Sequence, residues 1–114
     1  MPAAKRRKSK SAQSAAIFAA LGDETRLRLV ARLCANSPAS ITHLTVGCQI
    51  SRQAVTKHLH VLARAGLVRG LRRGRESLFA LETAQLAQAR RYLDTISEQW
   101  DDALRRLKLF VEND

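Results

Sequence analysis

The chain has 114 residues, room for one domain around a single core. Its 20 Lys and Arg outnumber 10 Asp and Glu, for a net charge of +10, and 46% hydrophobic residues argue against global disorder. Aromatics at only 4% suit a helical domain better than a β-sandwich or barrel.

The first ten residues are a low-complexity mix of Ala, Lys, Arg and Ser, expected to be a disordered basic tail, with the domain proper spanning 11–114. From Ser11 the pattern turns helical, Ile17, Phe18 and Leu21 recurring at helical spacing until Gly22 caps the segment. Asp23 reads as the N-cap of a second helix running to Cys34, with Leu27, Leu29, Val30 and Leu33 as its apolar positions. Asn36-Ser37-Pro38 stops it. A short third helix over about Ser40–Val46 points Ile41 and Leu44 inward, and Gly47 marks a turn. Ser51 opens a fourth helix ending near Ala65 at Gly66, with Val55, Leu59 and Leu62 as one apolar stripe.

After Gly66 the period changes. Two strand-like runs, Leu67–Arg72 and Arg75–Leu81, flank Arg73-Gly74, which reads as a tight hairpin turn. The last helix, 83–111, carries Leu86, Ala89, Leu93, Ile96, Trp100, Ala103, Leu107 and Phe110 at alternating steps of 3 and 4, a heptad seam. The predicted fold is therefore mainly α with a small β-hairpin. No apolar run approaches the roughly 18 residues of a membrane span, and none follows the charged N-terminus, so neither a membrane protein nor a secretory signal is expected.

The positive charge is concentrated. Lys5, Arg6, Arg7, Lys8 and Lys10 form one acid-free block; Arg52, Lys57, Arg64, Arg69, Arg72, Arg73 and Arg75 form another between Ser51 and Arg75. Such a field attracts a polyanion, nucleic acid first and an anionic membrane surface second.

A short helix, a Gly-containing turn and an N-capped helix with a polar leading face make a helix-turn-helix, the second helix sized for the DNA major groove. Arg52 suits the O6/N7 edge of guanine, Gln53 the N6/N7 edge of adenine, and Thr56 offers a methyl for thymine and a hydroxyl for phosphate. Ser51 stands with them at the helix start; Lys57 and His60 reach more naturally to phosphates, and Arg72, Arg73 and Arg75 cluster on the hairpin for the flanking backbone. The expected partners are double-stranded DNA and a second copy of the chain.

The run Phe18-Ala-Ala-Leu-Gly-Asp-Glu-Thr-Arg26-Leu-Arg-Leu-Val30 resembles the opening signature of the ArsR/SmtB family of bacterial winged-helix repressors. Ile50-Ser-Arg-Gln-Ala-Val-Thr-Lys-His58-Leu-His-Val-Leu-Ala-Arg-Ala-Gly-Leu-Val68 is similar to that family's recognition helix and the start of its wing. Arg72-Arg-Gly-Arg75 with Phe79 and Leu81 resembles the wing itself, so the likeness spans Ala16 to Leu81. It implies a winged helix-turn-helix homodimer joined through its N- and C-terminal helices, a pseudo-palindromic operator, repression relieved by an effector, and residence in a bacterial cytoplasm, on the nucleoid when bound.

Many members of that family sense metals, and this chain departs from both of the family's metal patterns. The thiolate motif on the third helix falls at Ser40 and Thr42, and no histidine follows His60, which leaves Asp94, Glu98, Asp101 and Asp102 without imidazole or thiolate partners. No metal and no cofactor is expected. Cys34 and Cys48 are too few to staple a secreted scaffold and read first as small buried apolar residues, with a thiol switch on the fourth helix as the alternative. His43, His58 and His60 lack ligand spacing with them; His58 reads as a packing or phosphate contact.

The C-terminal seam carries more apolar surface than so small a domain covers by itself. Each buried Leu-sized side chain is worth about 1.5–3 kcal/mol, so a dimer interface built from Leu93, Ile96, Trp100, Ala103, Leu107 and Phe110 is expected. A sequence-specific dimeric repressor is the reading the residues favour. The alternative is an architectural protein coating DNA without sequence preference, against which stand the uncharged Gln53 and Thr56 on the reading face. No Ser/His/Asp, Cys/His or phosphate-loop arrangement points to an enzyme.

Overall fold

The computed structural model describes residues 9–112. Eight elements follow one another: α1 (Lys10–Leu21), α2 (Glu24–Ala35), β1 (Ala39–Ser40), α3 (Ile41–Thr45), α4 (Arg52–Arg64), β2 (Val68–Arg73), β3 (Glu76–Leu81) and α5 (Thr83–Glu112). Each of the first four helices starts where a short polar side chain satisfies a free backbone N–H. Ser9 accepts from Ala12, Asp23 from Arg26, Ser40 from His43 and Ser51 from Ala54, at 3.0 to 3.1 Å. Ser9 caps α1 and Lys10 is its first residue, so the last two positions of the expected basic tail serve as the helix's cap and its start. The rest of that tail lies outside the described residues.

The end of α4 sets the wing. Ala65 is the C-cap, Gly66 takes φ +79°, and the Leu67 and Gly66 N–H groups donate to Leu62 and Ala63, both at 3.0 Å. This is a Schellman closure, and its customary apolar clasp is present in Leu62 and Leu67, both fully buried. A Cβ on Gly66 would also stand 3.2 Å from Cγ of Gln85, so both backbone and space call for glycine.

β2 and β3 pair antiparallel from Val68 opposite Leu81 to Arg73 opposite Glu76, which makes the two-residue loop Gly74-Arg75, one residue later than the expected Arg73-Gly74. Gly74 has φ +63° and Arg75 does not have positive φ, the pattern of a turn with glycine first. β1 was not foreseen. It is two residues long, pairing Ala39 with Phe79 and Ser40 with Leu78 to give the sheet order β1-β3-β2. A strand that short has no readable alternation, and only its partner defines it.

Ile17, Leu29, Leu44, Val55, Leu59 and Leu62 are fully buried and form the centre of the core. Leu27, expected among them, is 54% exposed. On α2 the inward line at i, i+4, i+7 passes through Arg26, Val30 and Leu33, so an arginine takes the place the apolar residue was assigned. Cys34 is likewise exposed rather than buried, while Cys48 is half-buried with its thiol donating to the Leu44 carbonyl at 3.3 Å.

α5 divides in two. Its start packs on the domain, with Ala89 buried and Leu86 half-buried. Beyond it Leu93, Trp100, Ala103, Leu107 and Phe110 are exposed, Trp100 at 65% and Phe110 at 71%, and Ile96 is half-buried. At 30 residues the helix is about 45 Å long. No helix among the described residues is long and apolar enough to cross a membrane.

Replacing Gly66 with Ala forces a Cβ into left-handed backbone and against Gln85. The expected loss is about 1–2 kcal/mol, read as a lower urea midpoint with an unchanged m-value; an unchanged midpoint removes this closure from its role.

Candidate nucleic-acid interface

α4 has two faces with different tasks. Val55, Leu59 and Leu62 are fully buried, and Arg52, Gln53, Lys57 and His60 are exposed on the opposite side. Positions 52, 53, 56, 57 and 60 recur at helical spacing, which gathers them on one surface of the first two and a half turns. Two of the expected contacts are already engaged within the chain. The Ser51 hydroxyl accepts the Ala54 N–H as the helix cap, and the half-buried Thr56 donates its hydroxyl proton to the Arg52 carbonyl at 2.9 Å.

Arg72, Arg73 and Arg75 are all exposed around the tip of the β2–β3 hairpin. So are Arg64 and Arg69, which means that every cation of the acid-free stretch faces solvent. Among the described residues Arg69 alone of them has an ion-pair partner, its Nε standing 2.9 Å from Oε1 of Glu82. The surface offered is a convex helix with a basic loop beside it, a shape that fits a groove and its phosphates.

Behind the helix lies a polar cluster that sequence reasoning missed. Arg26 donates from Nε to the Ala20 carbonyl at 2.6 Å and from Nη2 to the Ala19 carbonyl at 3.5 Å, satisfying the end of α1. Its Nη1 lies 3.2 Å from Nδ1 of His58 on α4. A guanidinium has no acceptor, so the imidazole nitrogen accepts. Asp23 completes the group, its carboxylate 3.8 Å from the same His58 nitrogen. His58 is thus a packing contact on the inner side of α4 and not part of the reading face. Arg32 does for α3 what Arg26 does for α1, donating to the Leu44 carbonyl at 2.9 Å and also to that of Val46.

A family model described as a helix-turn-helix domain matches residues 21–70. The HTH-type transcriptional regulator Rv2034 of Mycobacterium tuberculosis is 34% identical over 95 residues, 83% of this chain and 85% of that protein. An ArsR-like transcriptional regulator from Rhodococcus sp. RHA1 superposes with a TM-score of 0.74 at 36% identity, covering 88% of this chain and 93% of that one. The chain belongs to the ArsR family of winged helix-turn-helix transcriptional regulators. A DNA-binding transcriptional regulator is therefore what α4 and the hairpin serve, α4 as recognition helix and β2–β3 as wing. The homodimeric winged helix-turn-helix DNA-binding domain of a possible ArsR-family regulator from Mycobacterium bovis also superposes, with a TM-score of 0.61 over 84% of this chain and 91% of that one. At 19% identity that likeness speaks to the fold alone.

Asp23, Arg26 and His58 lie in the two stretches on which the family resemblance rests. Charge clusters on helix faces usually point to solvent, so the sequence signal available was positional: Arg26 sits on the inward line of α2. Ser40 and Thr42, at the positions of the family's thiolate motif, are the N-cap of α3 and an exposed residue of its first turn. Among the described residues, no three His, Cys, Asp or Glu side chains come together as a metal site.

The Arg26 N–H is the main reason that the Asp23 carboxyl titrates below its ordinary value; partial desolvation opposes it, and the nearby His58 and Arg26 side chains and the Thr25 N–H reinforce it. A lowered folded value means that the ionised form stabilises the fold above the unfolded carboxyl's pKa of about 4 and ceases to as pH falls through the folded value. The stability difference between the native chain and Asp23→Ala should therefore be constant near neutrality and shrink in acid. Urea midpoints taken from neutral pH down to about pH 2 check this; a gap that persists in acid assigns the role to something other than the ionised carboxylate.

Proposed function

We propose that the chain acts as a cytoplasmic homodimeric repressor, each protomer laying α4 in the major groove of one half of an inverted-repeat operator. The observation that carries this reading is the disposition of charge from Ser51 to Arg75: seven cations, no acid, and every cation exposed on the recognition helix or the wing. Ser51, Arg52, Gln53, Thr56, Lys57 and His60 meet the groove. Arg52 and Gln53 carry base recognition, Thr56 contributes chiefly its methyl, and Lys57 and His60 approach phosphate. Arg72, Arg73 and Arg75 hold the flanking backbone, and the cations from Lys5 to Lys10 add attraction independent of sequence.

The uncovered half of α5 supports the dimer. Leu93, Ile96, Trp100, Ala103, Leu107 and Phe110 continue a heptad repeat along a stretch of helix that, Ile96 apart, the described residues leave exposed. Two copies paired along this seam bury those side chains and present two recognition helices related by a two-fold axis, which an inverted repeat mirrors. Repression follows from occupancy: a dimer seated on promoter DNA excludes polymerase.

Trp100→Asp combined with Leu107→Asp should give monomers with much reduced operator affinity, read by sedimentation and fluorescence anisotropy. Dimers that bind as before would overturn the α5 interface. Selection of bound duplexes from a random pool should return an inverted repeat with half-sites about one helical turn apart, whereas a flat pool with measurable binding makes the protein an architectural one. In the selected site Gln53→Ala should cost about 1–3 kcal/mol and relax one base position. Arg73→Ala should weaken all sequences alike, and a change of base preference in that variant refutes this division of labour.

A further inference from the structure

Two neighbours make opposite demands on one atom of the recognition helix, Nδ1 of His58. Arg26 Nη1 lies 3.2 Å away and can only donate, so it needs that nitrogen bare. The Asp23 carboxylate lies 3.8 Å from the same nitrogen and, when ionised, can only accept, so it needs the nitrogen to carry a proton. The ring stands within bonding reach of the arginine, while the carboxylate is about 1 Å beyond the length of a charge-assisted bond. One atom cannot serve both.

The surroundings leave the choice to a proton. Imidazole is the side chain whose charge ordinarily changes between about pH 5 and 8, and His58, with 25% of its side chain exposed, can exchange protons with water. Asp23 stays ionised across that interval, because the Arg26 backbone N–H above all holds its carboxyl below the ordinary value. Nothing else charged is bonded to the ring among the described residues. α1 has no titratable side chain from Ser11 to Leu21, and Glu24 of α2 pairs with Arg28 at the surface. α3 and β2 also pack on α4, and their His43, Arg69, Arg72 and Arg73 are all exposed. On α4 itself the positions one turn from His58 are Ala54, Val55, Val61 and Leu62.

Protonation at Nδ1 therefore moves a bond from one residue to another. The charged ring no longer accepts from Arg26, meets the guanidinium as a like charge, and gains an acceptor in Oδ2 of Asp23. Arg26 is the group that also holds the Ala19 and Ala20 carbonyls of α1, so its loss separates α4 from the frame that α1 and α2 share. We infer that His58 is a positioning residue for the recognition helix: its proton decides whether α4 is fastened to Arg26 or turned toward Asp23, and operator affinity declines as the ring is protonated. The contact with Arg26 belongs to the neutral ring, so its contribution is complete above the ring's titration and is lost as pH falls through it. The exchange at Nδ1 stands on this geometry alone; its effect on an operator rests on the repressor reading proposed above.

Two measurements on the full chain test this. In nitrogen-15 NMR between about pH 8 and 5, the His58 ring, the Arg26 Nε–H and the α4 amides should move together with one midpoint. In His58→Asn, whose amide oxygen offers an acceptor but takes no proton, the Arg26 signal should stay still. Over the same interval, affinity for a duplex selected by the native chain, read by fluorescence anisotropy, should fall about three- to tenfold relative to His58→Asn. The ratio is the quantity to read, because the exposed His43 and His60 gain attraction for phosphate on protonation in both chains. His58→Gln repeats the comparison with a longer amide, so that a folding defect in one variant does not decide the outcome. Asp23→Asn still caps α2 but lacks the charge that receives the protonated ring, and should move the fall in affinity to lower pH. An Arg26 signal that ignores the ring's titration overturns the exchange, and a flat affinity ratio overturns the positioning role. Coupled signals in a chain that selects no duplex reject the repressor reading, and with it the operator effect, while the exchange at Nδ1 stands.

Discussion

One arginine on the inward side of α2 ties together the elements that present the recognition helix. Arg26 takes two carbonyls from the end of α1 and a ring nitrogen from α4, so three helices converge on a single planar group. Placing a charge there satisfies helix-end carbonyls that a leucine would leave bare. Arg32, six residues further along the same helix, repeats the device for α3. α2 thus works as a strut whose two guanidinium groups fix the helices before and after it, and the leucine core of α4 closes on the frame so made.

That frame keeps the work of folding apart from the work of binding. The apolar stripe of α4 faces inward with no exposure, and the unneutralised cations of α4 and the wing face outward. Like charges gathered on one surface repel one another, a cost the core supports and a polyanion removes. The Schellman closure at Gly66 carries the separation into the wing, since Leu67 plugs the core at the point where the strand departs.

The signals that proved legible in the sequence were local ones. Asp23 and Ser51 announce helix starts because capping needs one short polar side chain and nothing else. Gly66 announces an end because few other residues tolerate its φ. The Val55–Leu59–Leu62 stripe and the heptad steps of α5 are periodic, and periodicity survives without a structure to look at. What stayed hidden depends on partners distant in the chain. β1 exists because Phe79 and Leu78 are there to pair with it. Leu27 was favoured over Arg26 because composition ranks apolar above charged, although the geometry of α2 ranks them the other way. The hairpin loop slipped by one residue because Arg73, Gly74 and Arg75 offer two equivalent frames, and only the register of β3 chooses between them.

The side chains of Arg52, Gln53, Lys57 and His60 hold no hydrogen bond or ion pair within the chain among the described residues, and none contributes to the core. Substitution at such positions usually changes stability by only about 0.5 kcal/mol. The surface proposed to read DNA can therefore be rewritten one letter at a time while the scaffold beneath remains folded. A duplicated copy of this chain would pass from one genomic address to another through intermediates that are all stable proteins, which is the condition for a regulator family to diversify.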